Sequence, residues 1–285
     1  MKTGYLIIGA FCAVLLCSCS IKKSHDVKVM TLNIRLDVPS DGKNAWPNRA
    51  SIVSGFVAKR EPDLIGFQEV LWHQYRYLDS TLQGYKSIAT GREDGMQKGE
   101  ACAVFFCSER FTALKSGTFW LSETPDVPGS VGWDAALTRI ATWVKLFDKR
   151  AKDTLVFMNT HFDHMGDTAR YMSAGLLLER ARKLAGNNDF IITGDFNAQP
   201  SSPEIQRMKE GNFAVDAFTI SQARPEGLRY TFNDWKEGAG GGRIDYIFVR
   251  SGMKAKAHYI WKVVEKGVFI SDHWPVTARI SYNHR

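Results

Sequence analysis

The amino-acid sequence predicts an α/β (α+β) fold, because segments typical of strands and of helices alternate along the chain from about Val27 onward. The strand-like segments are short apolar runs, whereas the helix-like segments carry apolar residues at a spacing of three or four. No internal repeat or low-complexity linker separates them. With 285 residues, 44% of them hydrophobic and 24% charged, the chain is long enough and apolar enough to bury a full core.

The first half of the pattern begins with a strand at 27–34, and a helix follows whose apolar residues recur at helical spacing over 52–57. Pro62 ends this helix, because proline cannot continue the helical hydrogen-bond ladder. A strand at 63–69 leads into a second helix, which stops at Gly84. Strand-rich segments follow at 85–89, 101–107, 111–120, 140–147 and 154–160.

The second half of the pattern contains a helix at 167–185, a strand at 190–195 and a short helix near 202–209. The last strands are predicted at 244–249, 259–264 and 276–280. Two long irregular stretches, 91–99 and 121–133, are rich in glycine or proline. Loops of this length are often functional where they flank a site.

The N-terminus is typical of an export signal. Lys2 supplies a positive charge, 5–16 is a nearly unbroken apolar run, and Leu-Cys-Ser-Cys follows at 16–19. The run is too short and wrongly flanked for a stable spanning helix. The order apolar, small, cysteine resembles a bacterial lipobox with Cys19 as the lipidated residue, although an ordinary signal peptide or an uncleaved anchor would share the same apolar run.

The chain is therefore expected to divide into a signal peptide with lipobox at 1–19, a short tether at 20–26 and one domain at 27–285. This division predicts a protein exported to the bacterial cell envelope, periplasmic or associated with the outer membrane. It would be held at the membrane by its lipid. We expect the protein to be a monomer.

Only Cys102 and Cys107 remain in the exported part, and both lie in one predicted strand. Their odd spacing places them on opposite faces of that strand, so they cannot approach closely enough for a disulfide. Both are expected to be small buried residues, and the domain must rely on its core for stability.

The formal charge of +7 and the pI near 9.1 make the protein modestly basic. A basic face suits an anionic substrate or an acidic membrane surface, but an ordinary solvated surface accounts for this charge equally well. There is no block of like charges, and hence no basic tail of the nucleic-acid-binding type.

Four short islands follow apolar strand-like runs and carry residues that bind hard cations or move protons. They are Gln68-Glu69-Val70, Asn159-Thr160-His161, Gly194-Asp195-Phe196-Asn197 and Ser271-Asp272-His273. Carboxylate and amide oxygens are the ligands that Mg²⁺ and Mn²⁺ prefer. Glu69 is the first candidate metal ligand, Asn33 can add its amide oxygen, and Asp272 supplies a second carboxylate.

Proton transfer needs groups of a different kind, and the same islands supply them. Asp195 and Asn197 are two residues apart, so their side chains share one face; the carboxylate can orient or deprotonate water, and the amide can hold a phosphate oxygen. Of His161 and His273, one can take a proton from water while the other stabilises phosphoryl charge. The sequence contains no Gly-x-Ser-x-Gly elbow, no P-loop and no dinucleotide fingerprint.

Each histidine also needs an acceptor for its second ring nitrogen. Glu100 opens the predicted strand at 101–107, and Asp245 precedes Tyr246-Ile247-Phe248. These two carboxylates are the candidates for that role.

Together the islands resemble the endonuclease/exonuclease/phosphatase superfamily, which includes DNase I, abasic-site endonucleases, sphingomyelinases and inositol polyphosphate 5-phosphatases. The resemblance runs from 27 to about 280 and includes Thr31-Leu32-Asn33-Ile34-Arg35 and Ile244-Asp245-Tyr246 in the family's order. It implies a DNase I-like four-layer αββα sandwich, in which helices flank two mainly antiparallel sheets. The site would lie where loops from both sheets meet.

The resemblance also implies roles for particular residues. In the DNase-like members the first histidine pairs with a glutamate that corresponds to Glu100, and the second pairs with an aspartate that corresponds to Asp245. Arg139 is similar to a phosphate-contacting arginine, and Arg35 in the first-strand motif is a second candidate for phosphate. His161 stands where abasic-site enzymes use other residues, so that branch is disfavoured.

Two segments, 119–125 and 132–134, look like a subgroup of exported bacterial hydrolases. This loop is expected to shape the substrate pocket.

These observations predict a phosphoesterase that depends on Mg²⁺ or Mn²⁺ and promotes in-line attack by water on a phosphodiester or phosphomonoester. An anionic ester of a small molecule, a sugar or a lipid headgroup is favoured. A nuclease acting on DNA or RNA is the main alternative, and an inactive binding lipoprotein is a second one. The complete set of candidate ligands and bases argues against the inactive protein.

Overall fold

The computed structural model describes residue 1, residues 25–238 and residues 240–283. The predicted signal sequence, its lipobox cysteine Cys19 and most of the predicted tether lie outside the described residues. None of the helices in the described ranges is long and apolar enough to cross a bilayer.

Strands account for most of the regular structure. They are β1 (Val27–Asn33), β2 (Leu64–Val70), β3 (Tyr85–Ile88), β4 (Ala101–Cys107), β5 (Phe111–Trp120), β6 (Ile140–Asp148), β7 (Asp153–His161), β8 (Asp189–Asp195), β9 (Ala214–Asp216), β10 (Glu226–Gly227), β11 (Asp245–Arg250), β12 (Lys254–Ile260), β13 (Val264–Glu265), β14 (Val268–Phe269) and β15 (Val276–Ser281). The helices are α1 (Trp46–Arg60), α2 (Trp72–Thr81), α3 (Asp167–Ala185) and α4 (Pro203–Met208), with 3-10 turns at Pro39–Asn44 and Glu210–Asn212.

Two β-sheets pack face to face at the centre of the protein. The first has the strand order β10-β12-β15-β1-β2-β4-β3, and the second has the order β5-β6-β7-β8-β11-β9. Neighbouring strands are antiparallel except in the pairs β1–β2, β7–β8 and β10–β12. Helices α1 and α2 pack beside the first sheet, and α3 and α4 beside the second. The predicted four-layer sandwich is confirmed.

The central strands are buried on both faces, which explains why they are continuous apolar runs in the sequence. Every residue of β8 is buried, and so are all residues of β2 except Glu69. Phe67 and Phe105 pack edge to face on the side of the first sheet that meets Tyr75 of α2, and Phe157, on the same face of β7 as Asn159, packs between the sheets. This packing fixes the strand ends, from which the polar islands project.

A polar connection joins the two sheets close to those strand ends. A Cβ atom at Gly66 would lie 2.2 Å from Thr193 Oγ1 and 2.4 Å from Asn159 Oδ1, so the sheets approach closely only because residue 66 is glycine. Gln68 Nε2 donates to Asn159 Oδ1 at 2.6 Å, and Asn159 Nδ2 donates to the Phe67 carbonyl at 2.8 Å. Gln68 and Asn159 thus hold the sheets together rather than facing a substrate.

One predicted strand is misplaced. We predicted a strand at 259–264, but β12 spans Lys254–Ile260 and pairs with β15. The register shifts between Ala255 and Ala257, which marks a β-bulge. A bulge breaks the alternation of buried and exposed positions, and the sequence pattern was therefore misleading at this strand.

The two cysteines of the described domain are free thiols, as their spacing predicts. Cys102 is buried and Cys107 is half-buried, both on β4. Burial raises the pKa of the Cys102 thiol to about 12, so this group stays protonated and unreactive.

Candidate functional site

The candidate site lies at one edge of the sandwich, where strand ends from both sheets meet. His161 and Asp195 are the last residues of β7 and β8, and Asp245 is the first residue of β11. Strand pairing places His161 opposite Asp195, and Asp195 opposite Asp245. Asn33 and Glu69 bring the ends of β1 and β2 to the same place. The predicted convergence of distant islands is therefore present.

Asp195 is the centre of this arrangement. Its Oδ2 accepts a hydrogen bond from Asn33 Nδ2 at 3.0 Å and lies 3.5 Å from His161 Nε2 and 3.7 Å from His273 Nε2. Its Oδ1 accepts the backbone N–H of Asn197 at 2.9 Å. Burial, together with the nearby Asp245 carboxylate, raises the pKa of Asp195 to about 7. A carboxyl group with this pKa can exchange a proton near neutral pH.

His273 forms the predicted pair with Asp245. The distance from His273 Nδ1 to Asp245 Oδ2 is 2.8 Å, and both side chains are buried. Burial alone would disfavour the imidazolium, but the carboxylates of Asp245 and Asp195 raise the pKa of His273 well above its usual value. His273 is therefore suited to remain a cation beside phosphoryl oxygens.

His161 has the opposite character. Burial, followed by the positive charges of Arg139 and Arg92, lowers the pKa of His161 well below its usual value, so the ring is neutral. Asn197 Nδ2 lies 3.1 Å from His161 Nε2 and 3.0 Å from the Phe162 carbonyl. A neutral ring can accept the first of these two bonds, which fixes its orientation beside Asp195.

The predicted pairing of Glu100 with His161 is not found among the described residues. Glu100 forms a two-pronged ion pair with Arg92 instead, at 2.7 and 2.9 Å. Arg92 reaches it because the loop at 91–99 folds back, and the Arg92 N–H donates to the Glu100 carbonyl at 3.2 Å. Glu100 still lines a small cavity that His161 also lines, so it stays close to the site.

Glu69 and Asp272 line the same cleft and are the carboxylates that we predicted to hold a divalent cation. Glu69 Oε2 accepts the N–H of Leu36 at 3.1 Å, and its backbone has a φ of 60°, a conformation that residues other than glycine seldom adopt. Burial raises the pKa of Asp272, and the charge of Glu69 raises it further. A cation between the two would relieve this repulsion, and carboxylate oxygens are suitable ligands for a hard ion.

Asn33 is oriented differently from the prediction. Its Nδ2 donates to Glu69 Oε1 at 2.9 Å and to Asp195 Oδ2 at 3.0 Å, while its Oδ1 accepts the Arg35 N–H at 2.9 Å. The amide oxygen is thus engaged with the backbone. Asn33 therefore positions the carboxylates of Glu69 and Asp195 through its Nδ2 in this structure.

A second group of possible ligands comprises Asp195, Asp245 and His273, whose donor atoms lie within 4.8 Å of one another. Two of these residues are already bonded to each other at 2.8 Å. We therefore favour Glu69 and Asp272 as the cation ligands and regard the buried His273–Asp245 pair as an acid–base unit.

Two arginines were predicted to contact phosphate, and their surroundings differ. Arg139 Nε donates to Asp163 Oδ2 at 3.2 Å, and its buried Nη1 has no hydrogen-bond partner among the described residues. Arg35 is held by Asp41 at 3.2 Å and lies 3.8 Å from Asp272. Arg139 therefore has a donor to spare for an anion, whereas Arg35 balances the charge of carboxylates.

Asp163 is a supporting residue that we did not predict. Four backbone N–H groups and Arg139 donate to its carboxylate. Although burial favours the neutral acid, these donors hold the pKa of Asp163 well below its usual range. The only signal in the sequence was the Asp163-His164 pair shortly after His161.

The cleft over these groups has a volume of about 410 Å³. Its walls include residues that we did not predict, namely Leu36, Leu137, Phe232, Asp234 and Trp235, together with His164. The loop that we expected to shape the pocket does not line this cleft. Ser122, Glu123, Pro125 and Trp133 line a separate cavity of similar size against α3.

Comparison with known proteins agrees with this geometry. The profile of the family described as Endonuclease/Exonuclease/phosphatase matches residues 30–273. The chain belongs to this family. Membership makes the protein a hydrolase acting on phosphoric esters, by phosphoesterase or nuclease chemistry, and enzymes of the family generally use divalent metals.

Solved structures of family members superpose closely on the chain. An endonuclease/exonuclease/phosphatase from Bacteroides vulgatus is 37% identical, with 91% of this chain and 100% of that one covered and a TM-score of 0.87. A mannosyl-6-phosphatase from Bacteroides thetaiotaomicron is 32% identical, with 90% and 99% covered and a TM-score of 0.84. TDP2 from D. rerio, solved with a single-strand DNA product, is 17% identical over 90% and 100%, with a TM-score of 0.73, and supports the fold alone.

Proposed function

We propose that this protein is a phosphoesterase dependent on Mg²⁺ or Mn²⁺ that hydrolyses a small phosphate ester, preferably a sugar phosphate, by in-line attack of water. The observation that carries the proposal is the position of Asp195 between a neutral and a cationic histidine, beside two further carboxylates. A carboxyl group with a raised pKa, between one histidine with a lowered pKa and one with a raised pKa, is typical of an acid–base catalytic site.

Binding of the phosphate would use charge that the site already holds in place. A divalent ion held by Glu69 and Asp272 would supply Lewis-acid stabilisation of the phosphoryl oxygens. Arg139 would donate its unpaired Nη1 to the same group, and the His273 imidazolium would donate from Nε2. Asn197, predicted to hold a phosphate oxygen, donates its side-chain N–H groups to His161 Nε2 and the Phe162 carbonyl instead, so we assign it to positioning His161.

Proton transfer is assigned to Asp195. Its carboxylate, with a pKa of about 7, accepts a proton from the attacking water, and its bonds from Asn33 and Asn197 keep it in place. His161 is neutral, with its Nε2 occupied by Asn197, so we assign it to positioning this carboxylate and the water. The role of Asp245 is to keep His273 protonated and oriented.

A sugar phosphate is the favoured substrate, because a relative described as a mannosyl-6-phosphatase is 32% identical over nearly the full length of both chains. Lipid headgroup esters belong to the same chemical class and remain within the proposal. A nuclease is the alternative. Nicking of supercoiled plasmid separates the two activities, since a phosphatase releases inorganic phosphate from small esters and leaves the plasmid intact.

Removal of the metal tests the proposed chemistry. We expect hydrolysis of p-nitrophenyl phosphate or bis-p-nitrophenyl phosphate with Mg²⁺ or Mn²⁺, and a fall of roughly 100-fold or more when EDTA is added. Excess Mg²⁺ should restore the rate. Hydrolysis that persists at full rate in EDTA would contradict the proposal, and absence of hydrolysis with either metal would favour an inactive binding protein.

For localisation we propose an exported, monomeric protein that is anchored in the cell envelope through lipid on Cys19. The first strand of the domain, β1, begins at Val27. The site lies beyond Asn33, at the other end of this strand and roughly 20 Å from Val27. Such an anchor would leave the cleft open to substrates in solution.

Replacement of Cys19 by alanine tests the anchor. We expect the variant to move from the membrane fraction to the soluble fraction, because no lipid could then be attached. Fractionation followed by immunoblotting measures this, with Cys107→Ala as a matched control that should remain in the membrane fraction. Unchanged membrane retention of the Cys19 variant would contradict the lipid anchor.

A further inference from the structure

One wall of the cleft carries side chains that the hydrolysis of a phosphate group does not require. Residues 230–238 are joined to 240–242 by backbone hydrogen bonds, and an isolated antiparallel bridge between Phe232 and His273 attaches them to the connection between β14 and β15. The Phe232 ring packs against the His273 ring, with 5.1 Å between ring centroids. At the tip of this segment, Asp234 and Trp235 line the same cleft as Asp195.

The tip is held in an unusual backbone conformation. Asp234 and Trp235 both have positive φ angles, 49° and 58°, although neither is glycine. Buried Asn233 maintains this turn, because its Oδ1 accepts the Trp235 N–H at 2.9 Å and its Nδ2 donates to the Ser271 carbonyl at 3.1 Å. The turn is thus fixed to the segment that supplies Asp272 and His273.

The two tip residues present different surfaces to the cleft. Trp235 is half-buried, with Arg49 over its ring at 5.3 Å, so its position is fixed by packing. Asp234 has 57% of its side chain exposed. Its Oδ2 accepts from Lys236 at 2.6 Å, and its Oδ1 has no hydrogen-bond partner within residues 25–238 and 240–283.

We propose that Asp234 and Trp235 form the subsite that binds the leaving group, and that this group is an uncharged polyhydroxylated molecule such as a hexose. This inference rests on the proposed function and specifies its substrate class. A carboxylate accepts hydrogen bonds from sugar hydroxyls, and an aromatic ring packs against the apolar face of the sugar. A polynucleotide is disfavoured, since the Asp234–Lys236 pair has no net positive charge to hold a neighbouring phosphate.

The charges along the cleft support this orientation of the substrate. The phosphate end carries Arg139, whose buried Nη1 has no hydrogen-bond partner among the described residues and can bind an anion. Asp234 lines the same cleft, and its exposed carboxylate is paired with Lys236 at 2.6 Å, so this part of the wall has no net positive charge to hold a second phosphate. A monoester with one phosphate and a neutral remainder matches both ends.

The test compares mannose 6-phosphate with p-nitrophenyl phosphate, whose leaving group has no sugar hydroxyls. We expect Asp234→Ala to lower the ratio of kcat/KM values for these two substrates by roughly 10- to 100-fold, mostly through a higher KM for the sugar ester. Asp234→Asn keeps the volume of the side chain and should lower the ratio by a smaller factor. Glu237→Ala, an exposed acid on the same segment, is the matched control and should leave the ratio unchanged.

The outcomes separate the two proposals. A ratio within twofold of wild type in both Asp234 variants overturns the subsite. Wild-type hydrolysis of p-nitrophenyl phosphate without hydrolysis of any hexose phosphate also overturns the subsite, but leaves the phosphoesterase standing. Hydrolysis of neither ester with Mg²⁺ or Mn²⁺ overturns the proposed function itself.

Discussion

The Asp195→Asn variant is expected to lose roughly 10²–10⁴-fold in kcat on any ester that the wild type hydrolyses, because the amide cannot take a proton from water. Asparagine has the same shape, so the contacts with Asn33 and Asn197 can largely persist. In the wild type, kcat/KM should fall as the pH is lowered through about 7, since the carboxylate is then protonated. The variant should lack this dependence. Steady-state kinetics between pH 5 and 9 measure both effects.

Stability provides the control for this variant. The pKa of Asp195 is raised in the folded state, so the ionised carboxylate destabilises the fold at neutral pH. Asp195→Asn should therefore unfold at the same temperature as the wild type or higher. Asp126→Asn, on an exposed acid that does not line the cleft, should change neither activity nor stability. An Asp195→Asn enzyme within threefold of wild-type kcat would refute the assignment of the base.

The Arg110→Met variant is expected to lose about 3–5 kcal/mol of unfolding free energy, the largest stability effect that we predict. Arg110 is completely buried at the end of the sandwich opposite the site. It donates to Asp148 at 2.6 Å and to Asp63 at 2.9 Å, and also to the carbonyls of His25 and Asp26 at 2.7 Å. Methionine would fill the space but leave two carboxylates uncompensated. Denaturant unfolding monitored by tryptophan fluorescence measures the loss.

Arg150→Met is the matched control, because Arg150 is 30% exposed and lies 3.8 Å from its acidic partners. We expect it to change the free energy of unfolding by no more than about 0.5 kcal/mol. Arg110→Met should retain wild-type kcat per folded molecule at low temperature, since the network does not touch the site. Equal losses in the two variants would show that the Arg110 network contributes nothing beyond an exposed ion pair.

The fold could be predicted because its central strands are buried on both faces and are therefore continuous apolar runs, as in β8. The polar islands are at the ends of these strands, so strand pairing alone brings His161, Asp195 and Asp245 together. β12 was misplaced because a bulge disturbs its alternation. Local patterns predict regular strands well and interrupted strands poorly.

The features of the site that the sequence did not predict depend on contacts made by long loops. Glu100 was expected to pair with His161. It forms an ion pair with Arg92 instead, because the loop at 91–99 folds back and brings Arg92 next to it. The predicted ligand Asn33 donates to carboxylates because a backbone N–H already occupies its oxygen. Asp234 and Trp235 lie on a turn whose position is set by bonds to a segment about forty residues away, at 271–272. A local sequence pattern cannot predict contacts between segments that are so far apart along the chain.

The central claim is that Glu69 and Asp272 bind one divalent ion beside Asp195. Crystals soaked with Mn²⁺ and a phosphate analogue, recorded at a wavelength where manganese scatters anomalously, test it directly. We predict an anomalous peak about 2 Å from a carboxylate oxygen of Glu69 or Asp272, with the analogue between that peak and His273. Manganese bound only to surface acids, with Glu69 and Asp272 free of metal, would contradict the proposed site.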